Sequence, residues 1–165
     1  LIYGMSDYGL AQRFDIAHEE AAQFIQSYYD LYPQVAAWRE EAVASAEEKG
    51  YAETLFKRRR PLPDLHARNH ALREFSKRAA INTPIQGTAA DLIQLAMVDV
   101  EEKLAAAGFR SGLLLSIHDE LLFEIEDERI DEAQQIIKRS MEKAIKINVP
   151  IEVSIGIGQN WGEAH

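Results

Sequence analysis

The segment His118-Asp119-Glu120, set between Leu113-Leu114-Leu115 and Leu121-Leu122-Phe123, places two adjacent carboxylates where two short apolar runs meet. Leu113, Leu115 and Ile117 alternate with Leu114, Ser116 and His118. Leu121, Phe123 and Ile125 alternate in the same way with Leu122, Glu124 and Glu126. A two-residue period is that of strands, so the pattern predicts a β-hairpin with His118-Asp119 at its tip. Two ionised carboxylates side by side repel each other, and a wall of leucines sharpens the repulsion unless a cation lies between them. A hard, oxygen-seeking ion such as Mg²⁺ would serve. The plainer reading of the same residues is a solvated turn that happens to be acidic.

A second group is polar rather than acidic. Arg78, Asn82 and Gln86 stand at i, i+4 and i+8 among small and apolar neighbours, so an unbroken helix would carry all three on one face. All three side chains can donate to the N3 and O2 acceptors that every base pair shows in the DNA minor groove. Such a row suits a protein that checks pair geometry without reading sequence. A polar helix face paired with nearby acids is the competing reading, and Pro84 would turn Gln86 off the row if it kinked the helix. Between Lys57 and Arg78 the chain has eight basic and two acidic residues, a local charge of +6 in a chain of net charge −9. The remainder is at −15, and so segregated a basic stretch is either a solvated face or a footprint for a polyanion.

Elements that would position these groups can be read from periodicity. Apolar residues at three-and-four spacing predict helices over 18–32 and 35–49, with Pro33 as a stop or a first helical residue and Gly50 as a C-cap. Residues 51–55 read as a short strand, followed by a basic turn and an extended exit through Pro61 and Pro63. Further helices are expected over 68–80, over 86–107 with Gly108 as terminator, and over 131–147. Thr88 with Asp91 resembles a capping box, and residues 151–157 alternate like another half-buried strand. Helices first and an antiparallel sheet with covering helices last indicate an α+β fold. The 165 residues include no Cys, which excludes disulfides and thiolate metal sites, and no apolar run of the roughly 20 residues that span a bilayer. The opening Leu1-Ile2-Tyr3-Gly4-Met5 has neither initiator Met nor signal-peptide pattern, so the chain reads as part of something longer.

Leu1 to Ser6, Arg78 to Asp91 and His118-Asp119-Glu120 together resemble, in order and spacing, the family A DNA polymerases. Thr54-Leu55, Arg58-Arg59, Pro63-Asp64, Asn160-Trp161 and His165 extend the likeness over essentially the whole chain. The resemblance implies an antiparallel palm sheet with flanking helices plus a helical fingers portion, with partial fingers and connecting helices over 1–80 and the C-terminal half of the palm over 81–165. It also implies template-directed transfer of dNTPs to a primer 3′-hydroxyl by a two-metal Mg²⁺ site. Asp119 matches a catalytic metal ligand and Glu120 its less direct acidic neighbour, while His118 matches a residue that steadies the primer end. Arg78, Asn82 and Gln86 match minor-groove contacts, Arg58 and Arg59 are added as DNA contacts, and Tyr3 is similar to a tyrosine beside the templating and incoming nucleotides. The implied partners are primer-template DNA, dNTP and the missing N-terminal parts of the same polymerase, in a cytoplasmic, nucleoid-associated bacterial enzyme with no membrane contact. Neither the family's other metal-binding aspartate nor its triphosphate-gripping fingers helix can be matched here, so the expectation is half a metal site and an inactive isolated chain. Lys57 stands where many relatives carry Gly. A non-catalytic nucleic-acid-binding module, and a metal-dependent phosphohydrolase built on the His-Asp pair, are the alternatives.

Overall fold

The computed structural model describes residues 3–110 and 112–164. Leu1, Ile2 and His165, which carry part of the resemblance, lie outside the described residues. Helices dominate, with two small antiparallel hairpins, as an α+β reading requires. The chain divides into two compact units, Leu1–Thr88 and Ala89–His165.

The first unit opens with α1 (Asp7–Phe14), which the sequence reading passed over because eight residues give little periodicity. Its signal was local: Ser6 is the N-cap, accepting from the Gly9 N–H at 3.1 Å, and Asp7 adds a negative charge to the first turn. Helices α2 (His18–Leu31) and α3 (Pro33–Lys49) follow, parted at Tyr32 because Pro33 takes the first-turn position where a missing N–H costs nothing. Gly50 closes α3 in the left-handed region, at φ 78°. Strands β1 (Tyr51–Glu53) and β2 (Arg59–Pro61) then pair with Ala52 opposite Arg60, and a 3₁₀ turn at Pro63–His66 leads to α4 (His70–Asn82). Asn69 caps α4, accepting from the N–H groups of Ala71 and Leu72. Ala46, Ala52, Leu62, Leu65, Ala79 and Ala80 form the core of this unit, so small residues let α3, α4 and the hairpin approach closely.

Pro84 does not break the chain into two helices. It lies in a π-helical turn, Thr83–Gly87, that runs directly into α5 (Thr88–Ala106). Proline has no N–H to give the carbonyl four residues back, and the wider turn accommodates its ring. Thr88 therefore has no helix start to cap, and the expected capping box is absent: its hydroxyl donates to Pro84 O and accepts from the Leu55 N–H.

The second unit is built on α5, which ends in a Schellman motif: Gly108 at φ 81°, Phe109 N–H to Leu104 O at 2.9 Å, and Gly108 N–H to Ala105 O at 3.0 Å. Strands β3 (Leu113–Ile117) and β4 (Glu120–Phe123) form the second hairpin, and α6 (Ile130–Glu142) returns behind it. Ala96, Val100, Leu104, Ala133 and Met141 are buried together, with Leu121, Phe123 and Ile125 packed against them. The predicted helix over 131–147 stops at Glu142. A run of β-branched and polar residues before Pro150 (Ile145, Ile147, Asn148, Val149) gives the remainder little helical drive. Residues 151–157 form no strand, because among the described residues no ladder partner pairs with them. Val153 still packs on the second core, and its N–H reaches Glu142 Oε1 at 3.4 Å. A short helix, α7 (Trp161–Ala164), closes the described chain.

Candidate functional site

In the second hairpin, Ile117 pairs with Glu120, which leaves His118 and Asp119 as a two-residue connection. His118 adopts φ 54°, the positive value that the primed turns of tight hairpins require at their first central position. The strain is that of an L-residue held left-handed, and it fixes where the carboxylate that follows leaves the backbone. His118, Asp119 and Glu120 are all exposed. The leucine wall is thinner than the alternation promised: Leu114 and Leu115 are 54% and 49% exposed, and the register slips between Leu113 and Leu115. One extra residue in β3 there makes a β-bulge, so the inside-outside alternation resets before the tip. Behind the bulge, Gly112 presses on the Glu124 carbonyl, where any side chain would collide, and Glu124 N–H bonds back to Gly112 O at 2.7 Å.

Carboxylate oxygens on a solvent-facing turn fit a hard ion such as Mg²⁺, which keeps several waters of its own. Two carboxylates are only part of such a shell. Among the described residues, no group of three or more His, Asp or Glu gathers where it could hold a metal ion.

The polar row belongs to the first unit. Arg78 and Gln86 are exposed, and Asn82 is half-buried with its Oδ1 buried and lacking a hydrogen-bond partner. Gly4, at φ 83°, passes so near the Arg78 stem that a Cβ on it would lie 2.9 Å from Arg78 Cγ. Tyr3, half exposed, therefore adjoins the residue that crosses Arg78. Arg58 and Arg59 use donors within the chain. Arg58 Nη2 reaches Gly87 O at 3.0 Å, and the Arg59 guanidinium lies 4.5 Å over the Tyr51 ring and 3.5 Å from Glu53 Oε2. Lys57 sits at φ 65°, the conformation that favours glycine, so the structure gives a backbone reason for glycine at this position.

One cation escaped the sequence reading. Arg39 is half-buried, 4.8 Å over the Tyr29 ring, and its Nε has no hydrogen-bond partner. Burial pulls its pKa below the ordinary guanidinium value, against an opposing contribution from Tyr28. It lines a shallow depression of about 230 Å³ with Met5, Asp7 and Gln26. No motif marks it, because its environment is assembled by packing.

The family model described as DNA polymerase family A matches residues 1–163. The chain belongs to DNA polymerase family A. It is 42% identical over 164 residues to DNA polymerase I of Lactococcus lactis subsp. lactis, covering 99% of this chain and 19% of that protein. Over 161 residues it is 46% identical to the thermostable DNA polymerase I of Thermus thermophilus, covering 98% of this chain and again 19% of the relative. Among solved structures, the POL domain of Pol1 from M. smegmatis, in complex with DNA primer-template and dNTP, superposes with a TM-score of 0.93 at 43% identity. That match covers 99% of this chain and 29% of the other. This family A segment thus spans about a fifth of the length of the curated relatives it matches. No helix among the described residues is long and apolar enough to cross a membrane.

Proposed function

We propose that this chain is the partial fingers (residues 1–80) and the C-terminal half of the palm (residues 81–165) of a bacterial, nucleoid-associated DNA-directed DNA polymerase. The observation that carries the reading is the two-residue acidic hairpin tip within a segment that matches the family from end to end. The partners are primer-template DNA and dNTP, the ligands named for the M. smegmatis neighbour.

Asp119, in the turn, is the direct Mg²⁺ ligand, and Glu120, which opens β4, is the supporting acid. When bound, a pair of such ions lowers the pKa of the attacking hydroxyl and neutralises the departing pyrophosphate. His118 faces solvent beside Asp119 and steadies the primer end, while Arg78, Asn82 and Gln86 donate to minor-groove acceptors. Tyr3 stacks by the templating and incoming nucleotides, and Arg58 and Arg59 contact the DNA backbone. The isolated chain is inactive, because two carboxylates do not complete a two-metal site.

The test is Asp119→Ala in a complete polymerase carrying this segment. Extension is lost by about a hundred- to a thousandfold, comparable to removing a principal electrostatic group, while primer-template affinity persists. Unchanged extension would exclude Asp119 from the chemistry.

A further inference from the structure

The π turn resolves a geometric problem that the spacing of the polar row creates. In an α-helix of 3.6 residues per turn, a step of four residues overshoots a full turn by about 40°, so Arg78 and Gln86 would diverge by about 80°. A π turn has roughly 4.4 residues per turn, and four residues fall short of a full turn by about 33°. The step from Arg78 to Asn82 lies in α4 and the step from Asn82 to Gln86 lies in the π turn. The two deviations nearly cancel, leaving about 7° between the first and last members of the row.

That turn is held by side chains. Thr83 Oγ1 donates to Ala79 O at 2.7 Å at its start, and Thr88 Oγ1 donates to Pro84 O at 2.5 Å at its end. The Thr88 hydroxyl also accepts from the Leu55 N–H at 3.0 Å, tying the turn to the tip of the β1–β2 hairpin, and Arg58 Nη2 adds its bond to Gly87 O. The tip is itself rigid: Thr54 Oγ1 accepts from the N–H groups of Phe56 and Arg58, each at 3.2 Å.

We propose that this clipped π turn returns Gln86 to the face of Arg78 and Asn82, and that Thr88 is the positioning residue that holds it there. The inference rests on the minor-groove reading above. The experiment uses a complete polymerase carrying this segment and primers in which a purine N3 is replaced by C–H, scanned along the terminal base pairs. The ratio of kcat/KM for natural and substituted primers is the penalty for losing the acceptor, about tenfold for one hydrogen bond. At the pair Gln86 contacts, Gln86→Ala abolishes the penalty. Thr88→Ser and Thr88→Ala remove the same methyl and differ only in the hydroxyl. The serine variant keeps the penalty, and the alanine variant reduces it below about twofold. Thr88→Val, which keeps the shape of the side chain and removes the hydroxyl, lowers it as well and serves if Thr88→Ala does not fold. A full penalty in a folded Thr88→Ala or Thr88→Val enzyme overturns the positioning role. A penalty that survives Gln86→Ala at every pair removes the minor-groove reading itself, and the proposal with it.

Discussion

Replacing Gly87 with Ala tests how tightly the π turn is seated against the first hairpin. Gly87 has no positive φ, so the substitution adds no backbone strain, and helix propensity alone would favour Ala by about 1 kcal/mol. Sterics oppose it, because the new Cβ would lie 2.7 Å from Thr54 Cγ2. That methyl cannot swing away freely, since rotation would pull Thr54 Oγ1 off the N–H groups of Phe56 and Arg58. Losing both bonds costs about 2 kcal/mol, so the net destabilisation is about 1 kcal/mol. Thr54→Ser removes the methyl and keeps the hydroxyl, and in that background Gly87→Ala becomes stabilising by about 1 kcal/mol, a coupling of about 2 kcal/mol. Thermal melting, with amide exchange at residues 54–58, reads the cycle. Equal effects of Gly87→Ala in the two backgrounds, within about 0.5 kcal/mol, would refute the contact as the cause.

Other perturbations probe different contacts. Arg129 Nη2 bonds Ala107 O at 2.9 Å beyond the end of α5 and Glu132 Oε2 at 2.7 Å, with the guanidinium 3.5 Å over the Phe109 ring. Arg129→Ala is expected to destabilise the second unit by about 2 kcal/mol and Arg129→Lys by less, in urea denaturation. Lys57→Gly relieves a left-handed L-residue at some entropic cost, and is expected to raise the melting temperature by a degree or two, for about 0.5 kcal/mol. Asp99 is held below its usual pKa by its bonds to Lys103 and then Ser140. A depressed carboxylate stabilises above its unfolded pKa and loses that contribution as pH falls through its folded value. The deficit of Asp99→Asn at neutral pH, a few tenths of a kcal/mol for so exposed a pair, should therefore fade below about pH 4.

The features legible in the sequence were those set by one local rule. The two-residue tip at His118-Asp119, the glycine caps at Gly50 and Gly108 and the first-turn position of Pro33 each follow from a conformational preference of one or two residues. Ser6 obeys a rule of the same kind, but the helix it starts was too short to show periodicity. The strand expected over 151–157 failed because alternation describes a half-buried surface and cannot supply the second edge that makes a ladder. Thr88 was misread for a related reason. Its spacing to Asp91 fits a cap, but its partners, Pro84 and Leu55, are set by a π turn and a hairpin that no spacing rule brings together. Of the candidate site, the residue types at Asp119, Glu120, Arg78, Asn82 and Gln86 were visible in the chain. The bonds that Arg58 and Arg59 make within the chain, and the partial burial of Arg39, required the packing.

The bulged strand β3 has a practical consequence. Among the described residues no third strand pairs with the β3–β4 ribbon, and its outer leucines, Leu114 and Leu115, are half bare; open strand edges beside greasy side chains are the combination from which intermolecular sheets grow. Expressed alone, this piece is prone to aggregate through that ribbon, and a lysine at Leu114 would act as a gatekeeper against it.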